Sequence, residues 1–236
     1  MVARTGGLRP FRTRVTGAAG FSLMELVVSA AISIVVVGGA VVASKQVQEG
    51  YGQQLETAAA EQEARYAVDW IQRLLRQAGS NPYAIRVGGC LPAALSPSSN
   101  GFPPVMRDPN GDGINNDIRI FADAGSSNGL IGGLGPALGG CTEANEDLTV
   151  AYSAANLNIT LADQNQPALG TQVMTDGVVT GLLFSYMDRN RVATTDMKRV
   201  AWINVSVTTQ SRLRDPHSGG FTRFPVSVDV RLRARW

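Results

Sequence analysis

Residues 21–43 form a 23-residue apolar run carrying a single charged side chain, Glu25. At about 1.5 Å per residue, a helix of that length crosses a hydrocarbon core of about 30 Å. Arg4, Arg9, Arg12 and Arg14 precede the run and no acid does, which keeps its start in the cytoplasm and sends the C-terminal bulk across the membrane. A carboxylate five residues into such a segment is costly in lipid, so Glu25 points to a function.

Three readings of this N-terminal part compete. Residues 1–20 are basic, rich in glycine and arginine and without a periodic apolar face, so no fold of their own is expected. A secretory signal peptide has a shorter apolar core and an A-x-A-like site at its far end, and no clear A-x-A stands before Lys45. A plain signal anchor fits the length and orientation but leaves Glu25 unexplained. The third reading puts a cleavage site on the near side, between Gly20 and Phe21.

Gly20-Phe21-Ser22-Leu23-Met24-Glu25 resembles the prepilin motif G-F-[ST]-L-x-E of type IV pilins and type II secretion pseudopilins. The resemblance implies that a membrane aspartyl peptidase cuts after Gly20 and N-methylates Phe21. It also implies that Glu25 partners the N-terminal amine of a neighbouring subunit. Physics supports that last role independently, because a carboxylate and an ammonium brought together in lipid relieve each other's desolvation. The partners implied are the prepilin peptidase, other pilin or pseudopilin subunits, and inner-membrane lipid.

Removal of residues 1–20 leaves seventeen basic side chains against nineteen acidic ones, a balance that gives no electrostatic reason to expect nucleic acid. Arg223, Arg231, Arg233 and Arg235 make a local basic patch, read as a solvated strand face. Cys90 and Cys141 are the only cysteines and His217 the only histidine, so neither a zinc finger nor an HExxH helix can be assembled. In an oxidising compartment the two cysteines are expected to pair; otherwise they are two small core residues. No Walker loop, GxGxxG or GxSxG is present. His217 sits in a polar turn without triad context, and Glu143 and Glu146 read as solvent-facing loop charges. An enzyme is not expected.

Beyond the apolar run the pattern becomes amphipathic over residues 44–79. Tyr66, Ala67, Trp70, Ile71, Leu74, Leu75 and Ala78 recur at three- and four-residue steps and define one buried helix face. Gly38-Gly39 offers a bend or a close helix contact, Gly50 and Gly52 weaken the junction, and Gly79 with Pro82 supplies the stop. Residues 66–79 and 224–233 also resemble the helix end and the final strand of PilW-like minor pilins.

The head, residues 80–236, opens with long loops and short strands over 81–140. Within them Asp108, Asn110 and Asp112 alternate, Gly113 supplies a sharp turn and Asp117 follows, as in the D-x-[DN]-x-[DN]-G calcium loop. The twelfth position is Arg119 instead of glutamate, which contradicts an EF-hand. Calcium on Asp108, Asn110, Asp112 and Asp117 and a plain Asx-rich surface turn both stay open. Past Cys141 the texture is β, with strands expected at residues 148–152, 181–187, 200–207 and 224–232.

The fold class expected is α+β and pilin-like: a long N-terminal helix, transmembrane in its first half, packed in its second on an antiparallel sheet with a long loop insertion. The function expected is that of a minor type IV pilin. It would reside in the inner membrane with its C-terminal domain in the periplasm, and then in the pilus. A large type II secretion pseudopilin shares this architecture. A tip adhesin or DNA-binding module carried by the 88–140 loops is the alternative of another class.

Overall fold

The computed structural model describes residues 20–80, 90, 103–123, 141–215 and 218–233. The leader at 1–19, most of the expected 81–140 loops, His217 and Arg235 lie outside the described residues. The chain divides into two units, residues 1–50 and 51–236. One helix, α1 (Leu23–Gln77), begins in the first and ends in the second.

In the first unit, residues 20–49 are all exposed. The most apolar stretch of α1 is long and apolar enough to cross a membrane, and none of it is covered by the described residues. It can therefore serve as a single membrane span or signal anchor. Gly38, Gly39, Gly50 and Gly52 are all helical, so the expected bend and weak junction are not breaks in the hydrogen-bonded helix.

In the second unit α1 buries a stripe of Ala60, Ala64, Ala67, Val68, Ile71 and Leu75, continued by Ala78. These positions fall three and four residues apart, as one face of a 3.6-residue helix requires. Tyr66, expected on this face, is 47% exposed. It lies about 200° around the helix axis from Ala64 and Val68, so the stripe that buries them turns it outward. Trp70 and Leu74 sit at the margin, partly buried. The helix ends where Gly79 takes φ +73° and donates its N–H to the Phe121 carbonyl at 2.8 Å, which ties the last turn to the sheet.

The expected single sheet is two. Strands β1 (Val105–Arg107), β2 (Asp117–Phe121), β3 (Asp147–Ser153), β4 (Asn158–Asp163) and β5 (Thr171–Val173) form one antiparallel sheet in chain order. Strands β6 (Val179–Met187), β7 (Trp202–Arg214) and β8 (Phe221–Arg231) form a second, also antiparallel. The first ends at β5, a short edge strand whose three residues are all exposed. The second begins with inward Val179, Leu182, Phe184 and Tyr186.

Ile203, Val205 and Val207 alternate inward along β7, and the buried Thr209 that follows donates its hydroxyl to the Ala60 carbonyl at 2.7 Å. Such a close approach to the helix needs the small side chains of its stripe. Side chains of α1, of β1 to β4 and of all three strands of the second sheet meet in one core, with Ile71, Leu75, Ile118, Ile159, Phe184 and Ile203 fully buried. Arg223, Arg231 and Arg233 are exposed along and just past β8, as expected of a solvated face. Glu146 is fully buried, against the expectation of a solvent-facing charge, because it directly precedes β3 and its carbonyl accepts the Ala122 N–H at 3.0 Å.

Candidate functional site

Gly20, Phe21 and Glu25 lie together at the start of α1, and all are exposed. The first turn is closed by the Leu26 N–H donating to the Ser22 carbonyl at 3.1 Å. A Cβ on Gly20 would meet nothing within 4 Å, so packing against the described residues does not explain the glycine. The same holds for Gly38, Gly39, Gly50 and Gly52. Each costs about 1 kcal/mol relative to alanine in a helix, with no internal contact in return.

Phe21 and Leu23 are each 82% exposed. Glu25 is the acid of the first helical turn, where the macrodipole favours it by about 0.3–1 kcal/mol. The arrangement offers a membrane or a second helix a long apolar surface with one charge at its start.

The second cluster is the β1–β2 loop. Asp108 Oδ1 accepts the Asp112 N–H at 3.0 Å and its Oδ2 accepts the Gly113 N–H at 2.9 Å. Asn110 Oδ1 accepts the Asp112 N–H at 2.9 Å while its Nδ2 donates to Asp112 Oδ2 at 3.0 Å, and Asp112 Oδ1 accepts the Ile114 N–H at 2.7 Å. Gly111 and Gly113 take φ +75° and +83°, left-handed conformations that suit glycine. Asp117, at the start of β2, is 2% exposed, and its Oδ2 accepts the Asn110 N–H at 3.3 Å.

The loop thus brings all four expected residues together. It is held to both sheets, the Asn116 carbonyl accepting from Tyr152 at 3.2 Å and the Asn115 carbonyl from Phe184 at 2.8 Å. Burial pushes the Asp117 carboxyl up from the ordinary range, Asp108 and Asp112 add to this, and the Asn110 N–H opposes it. Burial likewise raises the Tyr186 hydroxyl, with further upward contributions from Asp117 and Asp108. Among the described residues no three histidine, cysteine, aspartate or glutamate side chains stand in metal-ligand geometry.

Cys90 and Cys141 are bridged, with a Cα–Cα distance of 5.7 Å. Two features of the head were not anticipated. Arg119 makes a bidentate pair with Asp147, both bonds 2.6 Å, the Asp147 side chain being 1% exposed. Burial raises the Asp147 carboxyl, while Arg119 pulls it down. The β2–β3 register sets Thr149 opposite Arg119 and Asp147 opposite Phe121, so the pair is a diagonal cross-strand one, legible only once that register is known. The other feature is Trp202, which lies under Arg191 at 4.5 Å and Arg231 at 5.8 Å from its ring centroid.

A scan against protein-family models, a search of curated proteins and a search of solved structures each return no match.

Proposed function

We propose that this chain is a prepilin, cut after Gly20, whose mature form beginning at Phe21 is a structural subunit of a type IV pilus, of the minor PilW-like kind. The observation that carries the reading is the contrast along α1. Residues 20–49 are uncovered, while residues from Ala60 onward close the core of the head. A helix that supplies its own domain with one end and nothing with the other needs lipid or neighbouring subunits for the remainder.

Glu25 supplies the polar instruction on that surface. With Phe21 as the new terminus, its amine in one subunit and the Glu25 carboxylate in the next cancel each other's desolvation, which favours a staggered filament. The glycines of α1, unneeded inside the chain, leave room for neighbouring helices to approach.

The test is Glu25→Leu, which removes the charge and keeps an apolar helix. The variant is expected to be processed and held in the membrane but missing from sheared surface fibres. Incorporation at the wild-type level contradicts the assigned role of Glu25. Deleting the gene then separates two filament types, since loss of fibres marks a pilus subunit and loss of protein secretion marks a secretion pseudopilin.

A further inference from the structure

Asp117 sits in an unusual position for a carboxylate. It is 2% exposed, its Oδ2 has one long hydrogen bond from the Asn110 N–H at 3.3 Å, and its Oδ1 has no partner among the described residues. Asn116 Oδ1 and the Tyr186 hydroxyl, also buried, have none either. Unsatisfied buried polar atoms are uncommon in folded proteins, and three of them belong to adjacent residues or to a tyrosine that feels the Asp117 charge. None of the ion pairs among the described residues involves Asp108, Asp112 or Asp117.

Through Oδ2, Asp117 faces the loop in which Asp108, Asn110 and Asp112 alternate. Arg119, at the place where a calcium loop carries its last carboxylate, is committed to Asp147. That leaves Asp117, two positions earlier, as the last acid of the loop.

We infer that the β1–β2 loop is a calcium site, taking side-chain oxygens from Asp108, Asn110, Asp112 and Asp117 and the backbone carbonyl of Ile114. All five are oxygen donors, as a hard cation requires, and water brings the number to the six to eight that calcium takes. Magnesium, which demands near-ideal octahedral geometry and holds its waters, fits such a mixed and irregular set poorly. The carboxylates do not yet converge in metal-ligand geometry, so binding closes the loop around the ion and neutralises the buried Asp117 charge. The ion then pins a loop whose carbonyls already hold Tyr152 and Phe184, one in each sheet. The inference concerns the head alone and does not depend on the filament reading.

The experiment uses the full chain in detergent micelles, freed of divalent ions and titrated with calcium alone or magnesium alone. Thermal melting of the head and calorimetric binding are the two readouts. Without a bidentate glutamate the affinity expected is that of weak extracellular modules, half-saturation falling at about 10⁻⁴ to 10⁻³ M calcium. A saturable upward shift in melting midpoint is expected, with magnesium at least tenfold weaker. D117N and D112A should each weaken calcium at least tenfold. Asp112 is exposed, so D112A, which removes its side-chain oxygens, should fold normally and decides the matter if D117N does not fold. Absence of saturable binding up to about 10 mM calcium, or an unchanged affinity in folded D112A, would overturn the site.

Discussion

Ile71→Ala tests whether the second part of α1 is structurally one with the head. Ile71 is fully buried among side chains of both sheets. The substitution deletes three carbon groups at about 0.8 kcal/mol each and leaves a cavity where two sheets and a helix meet, so the loss should be roughly 3–4 kcal/mol. For a unit the size of residues 51–236 that lowers the melting midpoint by about 6–16 °C. Leu55→Ala is the control, because Leu55 lies on the same helix but is 54% exposed, and it should change stability by less than about 0.5 kcal/mol. Urea unfolding of the detergent-solubilised full chain, followed by near-UV circular dichroism, reads both. Equal effects from the two variants, or a silent Ile71→Ala, would falsify the packing of α1 on the sheets.

Three further outcomes follow from the head. Arg119→Gln leaves the buried Asp147 without its ion partner and should cost roughly 3–5 kcal/mol at neutral pH in urea unfolding, a loss that Asp147→Asn in the same chain partly restores. Replacing Cys90 and Cys141 together by serine opens a bridge across 51 residues and should lower stability by about 4 kcal/mol on chain-entropy grounds, and an unchanged unfolding midpoint contradicts that. Asp117 has a raised folded-state pKa, so as pH falls the native state takes up its proton before the unfolded chain does. Its stabilising contribution is complete below the ordinary carboxylate range and is lost as pH rises through the raised value. In calcium-free buffer, the stability advantage of Asp117→Asn over wild type should therefore be largest at neutral pH and shrink on acidification, and a gap that widens toward acid contradicts this assignment.

Helix and long strands were legible in the sequence because their signals are local. The apolar run and the three- and four-residue spacing that follows it bound α1 to within two residues of its observed ends, alternation finds β3, β8 and the first half of β7, and the apolar stretch 181–187 finds most of β6. Tyr66 misled because its four-residue step to Trp70 is apolar, but Trp70 itself lies at the margin of the covered stripe, and only the sheets decide which stripe is covered. β2 escaped because its first residue, Asp117, belongs to the acidic loop, and β4 because Asn158 and Asp163 give it polar ends. The division into two sheets is not a local property. It depends on which strands pair, and the exposed β5 carries no apolar signal of being a sheet edge. Glu146 shows the same limit, since its burial goes with a backbone contact to Ala122, 24 positions earlier and just past β2, which no local pattern announces. At the candidate site, the motif at Gly20 to Glu25 and the alternating oxygens of the loop are readable directly, whereas the burial of Asp117 and the engagement of Arg119 with Asp147 emerge only from the fold.

The most direct test of the filament reading is the N-terminal mass and sequence of the membrane-extracted protein, compared between cells with and without an active prepilin peptidase. A chain that begins at N-methylated Phe21 is expected when the peptidase is active, and one that retains the preceding residues when it is not. A terminus still at Met1 with the peptidase active, or a cut beyond Ala43, contradicts it.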